Sequence, residues 1–121
     1  MAPTAQQKLG RRGEQLALEH YERLGFQLLA RNQHTRSGEV DLVIADARTL
    51  VFAEVKTARL AALDPLVSIT ERKLLRMRRV AREWLAGAPH CRRPTLRLDV
   101  VAVVLDLQDR LIALEQFADV S

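Results

Sequence analysis

The chain has 121 residues, 48% hydrophobic and 28% charged with a net charge of +4, a composition that gives one compact domain and excludes a disordered or multidomain protein. Cys91 is the only cysteine, so no disulfide can form within the chain, and His20, His34 and His90 lack the spacing of zinc ligands. No stretch has the apolar core of a signal peptide or approaches the roughly 18 apolar residues of a spanning helix, so the expectation is a cytoplasmic protein with no membrane partner.

Residues 5 to 24 read as a helix, with Leu9, Gly13, Leu16, Ala17, His20 and Leu24 at three- and four-residue spacings and Gly25 as its stop. Glu19 and Glu22 fall opposite that stripe, whereas Glu14 falls on its flank beside Leu18 and Tyr21, turned toward the body of the domain. Phe26 to Asn32 reads as a first strand, and Gln33 to Gly38 as a polar connection whose His34 could approach a substrate, although a lone loop histidine is more often solvated. Glu39 to Ala45 and Leu50 to Lys56 give stronger strand signals, joined as a hairpin through Asp46-Ala47-Arg48-Thr49. Both are apolar on two faces, the pattern of central strands covered by helices on each side.

Thr57 to Val67 reads as a loop around Asp64-Pro65. Ser68 and Glu71 then match a capping box for a helix that runs to about Leu85. Leu74, Met77, Ala81, Trp84 and Leu85 form its apolar stripe, which makes Trp84 a core residue, and Arg72, Arg76 and Arg79 share another face. Nine of the nineteen basic side chains lie between residues 72 and 97, where Glu83 is the one acid. A basic stretch beside an acidic remainder suits a polyanion, nucleic acid first, although a solvated arginine-rich helix shows the same pattern. Leu96 to Leu105 is a further strand, in which Arg97 and Asp99 share a face as a structural pair. Leu111 to Glu115 is a short last strand. The sum is an α/β sandwich with a mixed sheet.

Charged residues inside apolar strands demand an explanation, because burying them is costly unless they are paired or bind an ion. Glu54 and Lys56 share one strand face by the period of two, Glu39 and Asp41 share a face of the preceding strand, and a hairpin lets all four meet. Converging carboxylates repel one another and call for a proton or a cation, and an oxygen-only ligand set favours Mg²⁺ or Mn²⁺ over zinc. Lys56 can orient a water or stabilise a phosphorane without any change in its protonation. The plain structural alternatives are a same-face ion pair for Glu54 and Lys56, a turn cap for Asp41 and a solvated side chain for Glu14 or Glu39.

Asp41 followed after a hairpin by Glu54-Val55-Lys56 resembles the PD-(D/E)xK signature of the restriction-endonuclease-like nucleases, and Glu14 matches the extra acid of their Holliday-junction resolvase branch. From about Gly10 to Val104 the chain is similar to the bacterial YraN-like family of predicted nucleases, through Gly13-Glu14, Gly25, Asn32, Gly38-Glu39-Val40-Asp41-Leu42, Phe52-Ala53-Glu54-Val55-Lys56, Lys73 and Arg97-Leu98-Asp99-Val100. Val40 stands where the superfamily's name has Pro, and the basic residue after the motif lysine is displaced to Arg59 by Ala58. The resemblance implies an αβββαβ restriction-endonuclease-like core and Mg²⁺-dependent (or Mn²⁺-dependent) endonucleolytic hydrolysis of DNA, possible on branched DNA.

In that reading Asp41 and Glu54 hold the metal with the Val55 carbonyl, Glu14 assists through water, Glu39 lies behind them and Lys56 positions the attacking water. Arg72, Lys73, Arg76 and Arg79 would then track phosphates. A nucleic-acid-binding module without cleavage activity is the competing reading, and a dimeric assembly factor with a polar strand network is a third. So small a domain offers little surface to a duplex, which favours a homodimer.

Overall fold

The computed structural model describes residues 1–60 and 69–120. Helix α1 spans Ala5–Arg23, strands β1, β2 and β3 span Gln27–Thr35, Gly38–Ala45 and Thr49–Arg59, and helix α2 spans Glu71–Gly87. A 3₁₀ turn at Pro89–Cys91 leads to β4, Thr95–Leu105, and β5, Leu111–Phe117. The five strands lie in sequence order across one sheet. Neighbours are antiparallel except β3 and β4, which run parallel and are joined through α2. This mixed sheet with a helix on each face is the arrangement of a restriction-endonuclease-like core.

Two apolar layers hold the helices on. Beneath α1, Leu16, Ala17, Leu18 and Tyr21 pack on Leu42, Ile44, Val51, Ala53 and Val101, and beneath α2, Val80, Ala81 and Leu85 pack on Val43, Leu50, Phe52 and Leu98. The α1 stripe is turned from the expected one: Leu24 is 54% exposed, while Leu18 and Tyr21 are buried. Glu14 shares the flank of Leu18 and Tyr21 and is carried toward the sheet with them. Gly25, at φ +95°, ends α1 as expected, its N–H donating to the Glu22 carbonyl.

Several boundaries differ from the sequence reading, β5 for instance running on to Phe117. The segment expected as an irregular connection is mostly strand: β1 continues to Thr35, and its Gln33 and His34 pair with Val40 and Glu39. Polar residues suffice there because β1 is an edge strand with one face toward solvent. At the hairpin between β2 and β3, Asp46 Oδ1 accepts the N–H groups of Arg48 (2.9 Å) and Thr49 (2.8 Å), the expected turn. Thr57 to Arg59 extend β3 rather than opening a loop, because β4 pairs along β3 as far as Arg59–Leu105. The rest of the expected loop, with Asp64-Pro65, and the expected cap Ser68 lie outside the described residues. Thr70 is the N-cap of α2, with its hydroxyl accepting the Lys73 N–H at 3.2 Å.

Candidate metal and phosphodiester site

The site forms where the ladder between β2 and β3 stops. The last pair in register is Leu42–Ala53, and the next free donor of β3, the Val55 N–H, donates to Asp41 Oδ2 at 2.7 Å. A carboxylate replaces a strand at that point. Because a strand residue's N–H and C=O point to the same side, the Val55 carbonyl also opens toward Asp41.

Glu54 and Lys56, on alternate positions of β3, meet as an ion pair, Nζ to Oε1 3.2 Å, with side chains 23% and 24% exposed. The second oxygen of Glu54, Oε2, is buried and has no hydrogen-bond partner. Leaving a carboxylate oxygen dry and unpaired is expensive, so the orphan marks a place where a further positive group is wanted. Glu39 lines the same small cavity as Glu54, with Phe52, Met77 and Val80. Its own carboxylate faces His34 Nδ1 at 3.2 Å, 64% exposed at the mouth of the site.

Burial pushes the Asp41 carboxyl up from its ordinary range, the Val55 N–H opposes this, and the charges of Glu54 and Glu39 push upward while Lys56 pulls down. Burial likewise pushes Glu14 up, reinforced by the Asp41 charge and opposed by an Asn32 hydrogen bond and by Arg31 and Arg11. The four acids, Glu14, Glu39, Asp41 and Glu54, thus form one electrostatic group around Asp41.

Asn32 supports Glu14 from a left-handed backbone, φ +50°, which an asparagine tolerates better than most residues. Gly13 lets α1 come close enough to place Glu14 there. A Cβ on Gly13 would lie 1.8 Å from Thr57 Oγ1.

The basic residues separate. Lys73, in the first turn of α2, stands against Lys56, whose charge is the main cause pushing the Lys73 ammonium down. It belongs to the site and not to the outer arginine face with which the sequence grouped it. Both ammonium groups stand beside Glu54, so positive charge is gathered at this end of the acidic group. Arg72, Arg76 and Arg79 are exposed along α2, and the Arg76 stem runs beside Gly38 at the start of β2. Arg59 is drawn away to Asp109, at 2.5 Å in the turn before β5.

Among the described residues no group of three or more His, Cys, Asp and Glu side chains is arranged to hold a metal by itself. The donors on offer are Asp41, Glu54 and the Val55 carbonyl, all oxygen. That set fits Mg²⁺, which keeps several waters and takes one or two protein carboxylates. The unpartnered Glu54 Oε2 is the observation that supports the fit.

A model of the uncharacterised protein family UPF0102 matches residues 13–103, which include every acid of the site and most of the sheet. The chain belongs to the family UPF0102, the YraN-like family. A UPF0102 protein of Corynebacterium efficiens is 47% identical over 104 residues, 85% of this chain and 83% of the relative. Others from Acidothermus cellulolyticus and Chlorobium limicola are 42% and 37% identical over 116 residues, covering 88% and 92% of this chain and 88% and 89% of those proteins. Among the described residues no helix of this UPF0102 chain is long and apolar enough to cross a membrane.

A second polar cluster lies under α1, and of its members only one pair was expected. Asp99 is fully buried and accepts from Tyr21 Oη (2.7 Å), Arg97 Nε and Nη2 (both 2.9 Å), Gln116 Nε2 (3.0 Å) and the Asp119 N–H (3.0 Å). Its oxygens are fully used within the protein, which gives it a structural role. The Arg97–Asp99 pairing is visible in the sequence as an i, i+2 pair on one strand face, whereas Tyr21 and Gln116 are brought in from distant segments.

Proposed function

We propose that this UPF0102 protein is a divalent-metal-dependent endonuclease that hydrolyses phosphodiester bonds in DNA, with branched DNA among its candidate substrates. The observation that carries the reading is the end of the β2–β3 ladder, where Asp41 takes the Val55 N–H, Glu54 keeps one dry unpaired oxygen and Lys56 is fixed beside it. Asp41, Glu54 and the Val55 carbonyl would hold Mg²⁺ or Mn²⁺, with Glu14 reached through water. When bound, the ion supplies Lewis-acid polarisation of the scissile phosphate.

The chain's own part is to position and to compensate charge. Lys56 donates a hydrogen bond that orients the water, and Lys73 adds positive charge where the phosphate oxygens become more negative. Hydrolysis forms a bond from the water oxygen to phosphorus and breaks the bond to the 3′ oxygen. The attacking water gives up a proton and the leaving 3′ oxygen takes one up, so the products are a 5′-phosphate and a 3′-hydroxyl. Glu39, paired with His34 at the mouth of the site, adds negative charge there and does not touch the reacting atoms.

Supercoiled plasmid, linear duplex and a four-way junction, each incubated with Mg²⁺ or Mn²⁺, are expected to be cut by the wild type and left intact by Asp41→Ala. Equal treatment of every substrate by the two proteins would overturn the proposal. The exposed Arg72, Arg76 and Arg79 favour one second reading, a module that binds nucleic acid without cutting it. Metal-independent binding with no cleavage by the wild type would establish it. A homodimer would place two sites on one duplex or junction, and a sedimentation measurement of the wild type decides that point.

A further inference from the structure

A groove of about 420 Å³ opens between the end of the β1–β2 hairpin and the second half of α2, lined by Gln33, His34, Thr35, Arg36, Glu83 and Trp84 among others. Its floor is built. Trp84 packs edge-on against Phe52, ring centroids 5.7 Å apart, and its Nε1 donates to Gln33 Oε1 at 3.2 Å, so the indole is fixed while part of it stays open to the groove. Glu83, the acid of the groove, is spent on the hairpin: its oxygens accept from the Ser37 N–H (2.9 Å) and hydroxyl (2.5 Å). At the rim are two exposed groups that can meet an anion, Arg36 and His34.

The groove adjoins the acidic site. His34 faces Glu39 across the β1–β2 ladder and approaches it to 3.2 Å, and Glu39 shares a cavity with Glu54. Glu39 and Asp41 are two residues apart on one strand, about 7 Å. That is roughly one nucleotide step in an extended strand. A fixed aromatic with the Arg36 guanidinium and the His34 imidazole at its rim is the chemistry that takes a base by stacking and its phosphate by charge and hydrogen bonding.

We infer that this groove binds one unpaired nucleotide next to the scissile bond, with the base against Trp84 and its phosphate at Arg36 and His34. The inference rests on the endonuclease reading, whose substrate it narrows to DNA with an unstacked or single-stranded nucleotide at the cut. A continuous duplex, with every base stacked, has nothing to offer the groove.

Trp84 is the only tryptophan in the chain, so its emission reports on the groove directly. The experiment titrates Asp41→Asn, in metal-free buffer, with a short oligothymidylate and with a blunt duplex of equal phosphate count. Anisotropy of a labelled strand follows binding in parallel. The expected result is saturable quenching by the oligothymidylate and little by the duplex. Arg36→Ala and Trp84→Leu should each weaken single-strand binding about tenfold, and Trp84→Phe, which keeps a ring for Phe52 and the base, should stay near the parent.

Saturated single-strand binding with unchanged emission would overturn the inference, as would equal quenching by the duplex. The two readings fail separately. Quenching and strand preference in a protein that cuts no DNA would sink the nuclease and leave the groove, while cleavage without quenching would do the reverse.

Discussion

Asp41 accepts a backbone N–H from the next strand while three other carboxylates press on it, and burial pushes its own proton affinity and that of Glu14 upward. A carboxyl whose folded pKa is raised binds more protons folded than unfolded through the window just above the ordinary carboxylate range. Stability therefore falls as pH rises through that window and stays lower above it. Asp41→Asn retains an oxygen for the Val55 N–H and removes the charge. It should melt a few degrees higher than the wild type at pH 7, with the gain shrinking as pH falls below the carboxylate range, as read by thermal unfolding across pH. A saturating divalent ion should close the gap from the other side. At a hundredfold excess over its dissociation constant it adds about 2.7 kcal/mol to the wild type and little to the variant. Asp41, Glu54 and Lys56 were legible in the sequence because charge inside an apolar strand is conspicuous. The place of Lys73 was not, since helical spacing groups it with Arg72 and Arg76 and says nothing of a lysine on another strand.

Between elements, two interactions fix how α1 sits on the sheet. The first is the approach of Gly13 to Thr57, where a methyl would collide with a short side chain anchored in β3. Gly13→Ala should cost about 1–3 kcal/mol in urea unfolding. It should also move Glu14 away from Asp41, and a second change, Thr57→Ala, should restore part of that stability. The other is Asp99, which ties α1, β4, β5 and the segment after β5 together through five hydrogen bonds. Tyr21→Phe removes one donor to a charged group and should cost about 1.5–3 kcal/mol. Asp99→Ala strands Arg97 in a half-buried position and should cost about 3–5 kcal/mol. The helices, the central strands and their turn could be read from periodicity and turn chemistry. The far end of β1 could not, because an edge strand with a wet face has no apolar alternation to show. The start of α2 is read from the capping-box spacing of Ser68 and Glu71, a local match that does not reveal that the Thr70 hydroxyl, two residues on, accepts the Lys73 N–H.

Across the whole molecule, charge is divided between an acidic site and the arginines of α2, and the division is readable from the sequence alone. Its geometry is not: Arg76 runs beside the start of β2, near the site, while Arg78 and Arg82 overhang Leu96 and Leu98 on the opposite side of the helix. If duplex DNA lies along the first group, Arg72, Arg76 and Arg79 changed together to Ala should reduce the slope of log K against log salt by about 0.9 for each phosphate that these arginines neutralise. Asp41→Asn should leave that slope unchanged. Filter binding at several salt concentrations measures both.

The parallel pairing of β3 with β4 has a consequence for how the chain is made. Every acid of the candidate site, and Lys56 with them, is synthesised before residue 57, whereas the strand that covers the open edge of β3 along eleven paired positions does not begin until Thr95. While the chain emerges, a long, apolar strand edge waits for a partner from far down the sequence. The nascent N-terminal half is then the aggregation-prone species, and the interval between ribosomal release of β3 and of β4 sets how long a chaperone has to guard it.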